Sequence, residues 1–176
     1  MEMDDMWIPF IALLPLKRFY GPSWSLLSML PSNIMFSHLT HLELHDSIDS
    51  EDTNALIAFL ASLPALTHLA FDDLNASSLC SSLLNTCKSL CVLVILLSVV
   101  IQRFYGDHTQ DAVLVQDSRF VCIRCDNYLH DWLMGARWGL DYWHRAELVI
   151  AKRRAREIDP LQIDLLEDQS LDIVLA

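Results

Sequence analysis

The chain has 176 residues, 53% of them apolar and 20% charged, with a formal net charge of −11. That length supports one substantial core, and the apolar share excludes a disordered chain. Residues 1–102 carry ten acids against three bases and residues 103–176 thirteen against nine, so both halves repel a phosphate backbone: no nucleic acid is expected, and a protein partner with a basic surface suits the charge better.

The chain starts Met1-Glu2-Met3-Asp4-Asp5, acidic where a secretory leader needs positive charge, and Pro9 and Pro15 interrupt the apolar run that follows. Residues 1–15 read as an N-terminal segment. Leu16-Lys17-Arg18-Phe19 is a first, degenerate strand, and Gly21-Pro22 turns the chain after it. Three stretches then copy one another: Leu39-Thr40-His41-Leu42-Glu43-Leu44, Leu66-Thr67-His68-Leu69-Ala70-Phe71 and Leu90-Cys91-Val92-Leu93-Val94-Ile95. Each follows Leu-x-x-Leu-x-apolar, and the steps between them are 27 and 24 residues. This is leucine-rich-repeat spacing, one short strand and one crossover per unit.

The crossovers are helical in pattern. Ser50-Glu51-Asp52-Thr53 offers a cap with acids in the first turn, and Leu56, Ile57, Phe59, Leu60 and Leu63 recur at helical spacing before Pro64 stops the run. Asn75-Ala76-Ser77-Ser78 opens the next crossover, with Leu79, Leu83 and Leu84 as its inward stripe. Leu90 to Ile101 is the most membrane-like run, but a span needs ~20 residues, so a buried strand is expected and a membrane is not. Arg119-Phe120-Val121-Cys122-Ile123 is a further strand. Tyr128 to Met134 and Asp141 to Glu157 read as two helices hinged at Gly135–Gly139. Asp141 caps the second, Trp143, Ala146, Val149 and Ile150 share one face, and Lys152, Arg153, Arg154 and Arg156 sit near its C-terminal end, where the helix dipole favours cations.

The fold expected is α/β: a short leucine-rich-repeat solenoid with parallel strands over 16–126, a helical cap over 127–158 closing its end, and an acidic tail over 159–176. Aligning the copies puts His41, His68 and Val92 in one row, Glu43, Ala70 and Val94 in the next, and His45, Asp72 and Leu96 in a third. In such a strand the leucines point inward and the spacers outward. The outward face is then polar and acidic at first and apolar by the third copy.

Several constellations invite a chemical reading. His41 and His68, about 5 Å apart if their strands pair, could join Glu43 or Asp72 around zinc, but a site needs three or four converging ligands. Cys122-x-x-Cys125 is half a zinc or redox motif without its other half, and residues three apart in a strand face opposite ways. The five cysteines, Cys80, Cys87, Cys91, Cys122 and Cys125, are an odd number and read as reduced thiols of an intracellular protein, cytoplasmic or nuclear. His130, Asp131, His144 and Glu147 lack a matched nucleophile and read as solvated helix faces, as do the bases at 152–156. Trp132, Trp138 and Trp143 are core candidates by area. No catalytic, cofactor-binding or metal-binding set is complete. The expected activity is non-enzymatic protein binding through His41, Glu43, His45, His68, Asp72 and Asp73.

The run Asp117-Ser118-Arg119-Phe120-Val121-Cys122-Ile123, then Tyr128-Leu129-His130-Asp131-Trp132, Gly135-Ala136-Arg137, Asp141-Tyr142-Trp143-His144-Arg145-Ala146-Glu147 and Ala151-Lys152-Arg153-Arg154, together with Phe36-Ser37-His38-Leu39-Thr40-His41-Leu42-Glu43-Leu44, resembles a group of basidiomycete, mushroom-type proteins that look like F-box-associated leucine-rich-repeat proteins. The resemblance covers most of residues 16–165. It implies an α/β repeat stack with a substrate-recognition role beside cullin-type ubiquitin ligases. No F-box is seen ahead of the first strand, so ligase subunits are expected as partners only if one lies upstream. The alternative is a truncated or degenerate relative without retained activity.

Overall fold

The leucines of the repeats fall two apart in short β-rich stretches, which places them on one side of a strand. In the computed structural model, which describes residues 14–29, 31–45, 53–72, 77–97, 115–125 and 128–159, these stretches pair. The strands are β1 (Arg18–Gly21), β2 (His41–Leu44), β3 (His68–Phe71), β4 (Val92–Leu97) and β5 (Phe120–Arg124). They form an open, all-parallel five-stranded sheet in sequence order. The register of β2 to β4 is the one the copies imply, His41 opposite His68 and His68 opposite Val92, and the flanking strands add Arg18 opposite His41 and Leu93 opposite Phe120.

The helices are α1 (Ser23–Leu27), α2 (Thr53–Ser62), α3 (Ser77–Thr86), α4 (Tyr128–Trp138) and α5 (Tyr142–Arg154). A 3-10 turn at Ile34–Phe36 is capped by Asn33, whose side chain accepts from the Met35 amide at 3.1 Å. The apolar stripes of α2 and α3 cover one sheet face. Leu56, Phe59 and Leu60 from α2 and Leu79, Leu83 and Leu84 from α3 pack with Leu42, Leu44, Leu69, Phe71, Leu93, Ile95, Leu97 and Phe120 in one buried cluster. The loops are tied by Arg119, which donates to Leu84 O at 2.8 Å and Leu90 O at 3.1 Å while paired to Asp117 at 2.7 Å. That side chain fastens the start of β5 to the end of α3 and the approach to β4. Its hydrogen bond holds the Asp117 carboxyl below the usual carboxylate range.

The other sheet face departs from expectation. The repeat pattern leaves it open to solvent, with the C-terminal helices closing the end of the stack. Instead α5 lies across this face, and its stripe of Trp143, Ala146, Val149 and Ile150 buries Ala70, Val92, Val94, Leu96, Val121 and Ile123. The cause is in the strands themselves: this row is apolar from β3 onward, and water is an expensive cover for it.

Smaller corrections follow the same logic. Arg153 is buried, not solvated, and donates to the carbonyls of Phe120 and Ser118, so it ties α5 to β5. Arg156 lies beyond the helix at φ +60°. Residues 135–138 are helical, and α4 ends at Gly139, whose φ of +69° favours glycine. Gly135 is needed for a different reason, because a Cβ there would collide with the Asp141 side chain. Trp138 is 60% exposed whereas Trp143 is buried, and the Trp132 side chain lies outside the described part. So do the Ser50 cap, Asn75-Ala76, residues 98–101 and the tail from Pro160.

Candidate functional site: the polar half of the α5 face

The N-terminal half of α5 meets the first three strands, and the contact there is polar. Asp141 caps α5, accepting from the His144 amide at 3.0 Å. Its second oxygen binds Arg18 of β1 at 2.7 Å. Next along the helix, the Tyr142 hydroxyl donates to Glu43 Oε2 of β2 at 2.6 Å. The Tyr142 amide donates to Asp131 of α4 at 2.5 Å, and Asp131 also takes a hydrogen bond from Arg145 at 2.8 Å. One turn on, Glu147 Oε1 lies 3.0 Å from His68 Nε2 of β3.

The repeated Leu-Thr-His-Leu produces the centre of this face. His41 and His68 occupy the same strand position and stack, with ring centroids 4.1 Å apart and an interplanar angle of 10°. Trp143 stands edge-on to both, at 5.4 and 5.6 Å. Each preceding threonine anchors its ring: Thr40 Oγ1 is 2.8 Å from His41 Nδ1 and Thr67 Oγ1 is 2.8 Å from His68 Nδ1. Thr40 also donates to Lys17 O at 3.0 Å, so the network assigns the His41 proton to Nδ1. Thr67 reaches Thr40 O only at 3.3 Å. Turning that hydroxyl onto His68 Nδ1 leaves Nε2–H to donate to Glu147, and this is the assignment consistent with a neutral ring.

Electrostatics follow burial. Burial, then the neighbouring His68 and Arg18, push His41 from 6.5 to about 3. Burial also lowers His68, against its bond to Glu147. Burial raises Glu43 from 4.5 to about 7 despite the Tyr142 bond, with Asp72, Asp131 and Asp141 adding repulsion. Glu43 is 2% exposed, and its Oε1 has no hydrogen-bond partner among the described residues. At neutral pH the face therefore holds two neutral imidazoles and a half-protonated carboxyl beneath one helix.

Of the residues expected to contact a partner, Glu43 and His68 are buried under α5 and serve its docking. The assignment of these two to an exposed surface is thus corrected, because the helix fills the space a partner would take. His41, His45 and Asp72 are half-buried, and Asp73 lies outside the described residues. His45 rests against the Tyr20 ring at 4.8 Å. His144 and Arg145 are also half-buried. Sequence reasoning gave Arg18, Tyr142 and Arg145 no place in the site, and it read Asp131 and Glu147 as solvated although they bond to Tyr142, Arg145 and His68.

No His, Cys, Asp or Glu group suited to holding a metal ion occurs among the described residues. Cys122 and Cys125 lie on opposite faces, each in a different core cluster, and burial pushes the Cys122 thiol up to about 12. No helix among the described residues is long and apolar enough to cross a membrane. Replacing Asp141 by alanine removes the cap and the Arg18 pair together. The expected cost is about 2 kcal/mol in urea unfolding at pH 7, roughly half from the cap. The chain matches no protein-family model, no curated protein and no solved structure.

Proposed function

We propose that the chain is a non-enzymatic, intracellular protein-binding module of leucine-rich-repeat type, related to the basidiomycete F-box-associated proteins it resembles. The observation that carries this reading is the strand register: paired positions step by 23, 27, 24 and 27 residues from β1 to β5, the periodicity of a solenoid built from strand and crossover units. Because α5 occupies the middle of the strand face, contact falls to the rim beyond the strand ends. His45 and Asp72 follow β2 and β3 there, and the sequence continues with Asp46, Asp49, Glu51, Asp52 and Asp73. Asp72 and the acid-rich sequence around it favour a basic protein surface, by steering and by rejecting like charge. Ubiquitin-ligase recruitment enters this reading only with an F-box supplied upstream, which sequencing of the transcript would reveal.

The test is affinity purification from the source organism with the wild-type chain and with Asp72→Lys/Asp73→Lys. A basic partner is expected to be enriched by the first, lost with the second and weakened by salt. Equal capture by both would overturn the rim as the contact surface. A second reading, a degenerate relative with no retained binding, is favoured by the same covered face, and it predicts no specific capture by either. Stoichiometric zinc in the purified protein would overturn both readings.

A further inference from the structure

The two halves of the α5 contact have different chemistry. From Ala146 onward it is apolar and anchored at the far end by Arg153 on the Phe120 carbonyl. Before that point, docking buries ionisable groups of the sheet: Arg18, His41 and His68 form a row across three adjacent strands, and Glu43 lies one position along on the same face. Among the described residues, the opposite sheet face, under α2 and α3, buries no such row.

We infer that α5 is an acid-sensitive strap, which lifts from the sheet on protonation of the stacked His41 and His68 while the parallel sheet and its α2–α3 layer stay folded. Lifting would uncover the apolar strip Ala70, Val92, Val94, Leu96, Val121 and Ile123. The inference stands apart from the protein-binding reading, since it concerns only the chain's own helix and sheet.

The geometry leaves little room for charge. Two imidazolium rings 4.1 Å apart repel, and Arg18 adds a third cation to the row. Asp141 answers Arg18, and Glu147 answers only His68. His41 has Thr40 on one ring nitrogen and Trp143 edge-on. Glu43 faces Tyr142, Asp72, Asp131 and Asp141, so it gains nothing by ionising under the helix.

Proton counting gives the sign. Docked, Glu43 keeps its proton between pH 4.5 and 6.5, His41 is neutral, and burial holds His68 below its ordinary value. Undocked, Glu43 returns toward 4.5 and both histidines toward 6.5. The free face then binds two protons in that window, so docking weakens by up to tenfold per pH unit as pH falls from 6.5. At higher pH the sign reverses, because the histidines are then neutral in both states and Glu43 ionises in place. Docking is therefore tightest near neutral pH.

Amide hydrogen exchange of the full chain, corrected for the intrinsic pH dependence of exchange, reads this directly. Between pH 6.5 and 5, protection over 142–154 is expected to fall, by up to about tenfold, while 68–71 and 92–97 keep theirs. In His41→Gln/His68→Gln only Glu43 titrates, and protection of α5 is expected to rise over the same interval. Unchanged α5 protection in the wild type, or a parallel loss in α5 and the strands, would overturn the strap. The wild-type profile decides even if the double variant does not fold.

Discussion

Glu43→Gln is expected to stabilise the protein by about 3 kcal/mol at pH 8 and to change little at pH 4.5. Glutamine keeps the shape of a protonated glutamic acid and an oxygen for the Tyr142 hydroxyl, which donates to Glu43 at 2.6 Å. It also replaces the unpartnered Oε1 by an amide donor in a neighbourhood containing Asp72, Asp131 and Asp141. The wild-type carboxyl titrates near 4.5 when unfolded and near 7 when folded. A carboxyl raised on folding contributes favourably below its unfolded value, and that contribution is lost as pH rises through the folded one. The full cost is therefore present above pH 7, and ~1.4 kcal/mol per unit sets its scale. Urea unfolding of both proteins at pH 4.5, 6 and 8 tests it. Coincident curves at pH 8 would show that Glu43 is not held protonated by the fold.

That one glutamate can carry such a cost shows where the sequence was legible and where it was not. Strand positions and register could be read because His41, His68 and Val92 repeat at matched places, and a one-residue slip would have moved every leucine to the wrong face. The α2 and α3 stripes were readable for the same reason, since Leu56, Leu60, Leu79 and Leu83 recur at helical spacing. The destination of α5 was not readable from its own amphipathic stripe, which fits an end cap and a face cover equally well. The deciding fact lay in the strands: an all-parallel sheet is normally covered on both faces, and Val92, Val94, Val121 and Ile123 already supplied an apolar second side. The polar half was harder still. Spacers such as Glu43 look solvated in a repeat, and only a helix arriving from a position 99 residues away in the chain makes one of them a buried acid. Arg153 misled for a related reason, because a cation in a last turn suits the helix dipole whether or not its head finds the Phe120 carbonyl.

Trp143→Ala is expected to cost about 3–5 kcal/mol at pH 7, the range for removing a large buried aromatic side chain. The indole is 2% exposed, stands edge-on to His41 and His68, and touches the Tyr142 ring at 4.7 Å. Truncation leaves a gap in the middle of the strap, directly over the imidazole stack. Water entering there would lift the desolvation that holds His41 near 3, returning that ring toward 6.5. The variant should therefore be less stable at every pH and also less sensitive to acid, because the native state would then take up the proton that the unfolded state takes up. Trp138→Ala is the control: that ring is 60% exposed, and its loss should stay within about 0.5 kcal/mol. Urea unfolding of the two variants and the wild type at pH 5 and 7 separates the two effects. A Trp143→Ala protein that is weaker yet keeps the full wild-type difference between pH 5 and 7 would mean that the indole packs the core without shielding the histidines. Equal costs for the two tryptophans would mean that α5 does not rest on this face.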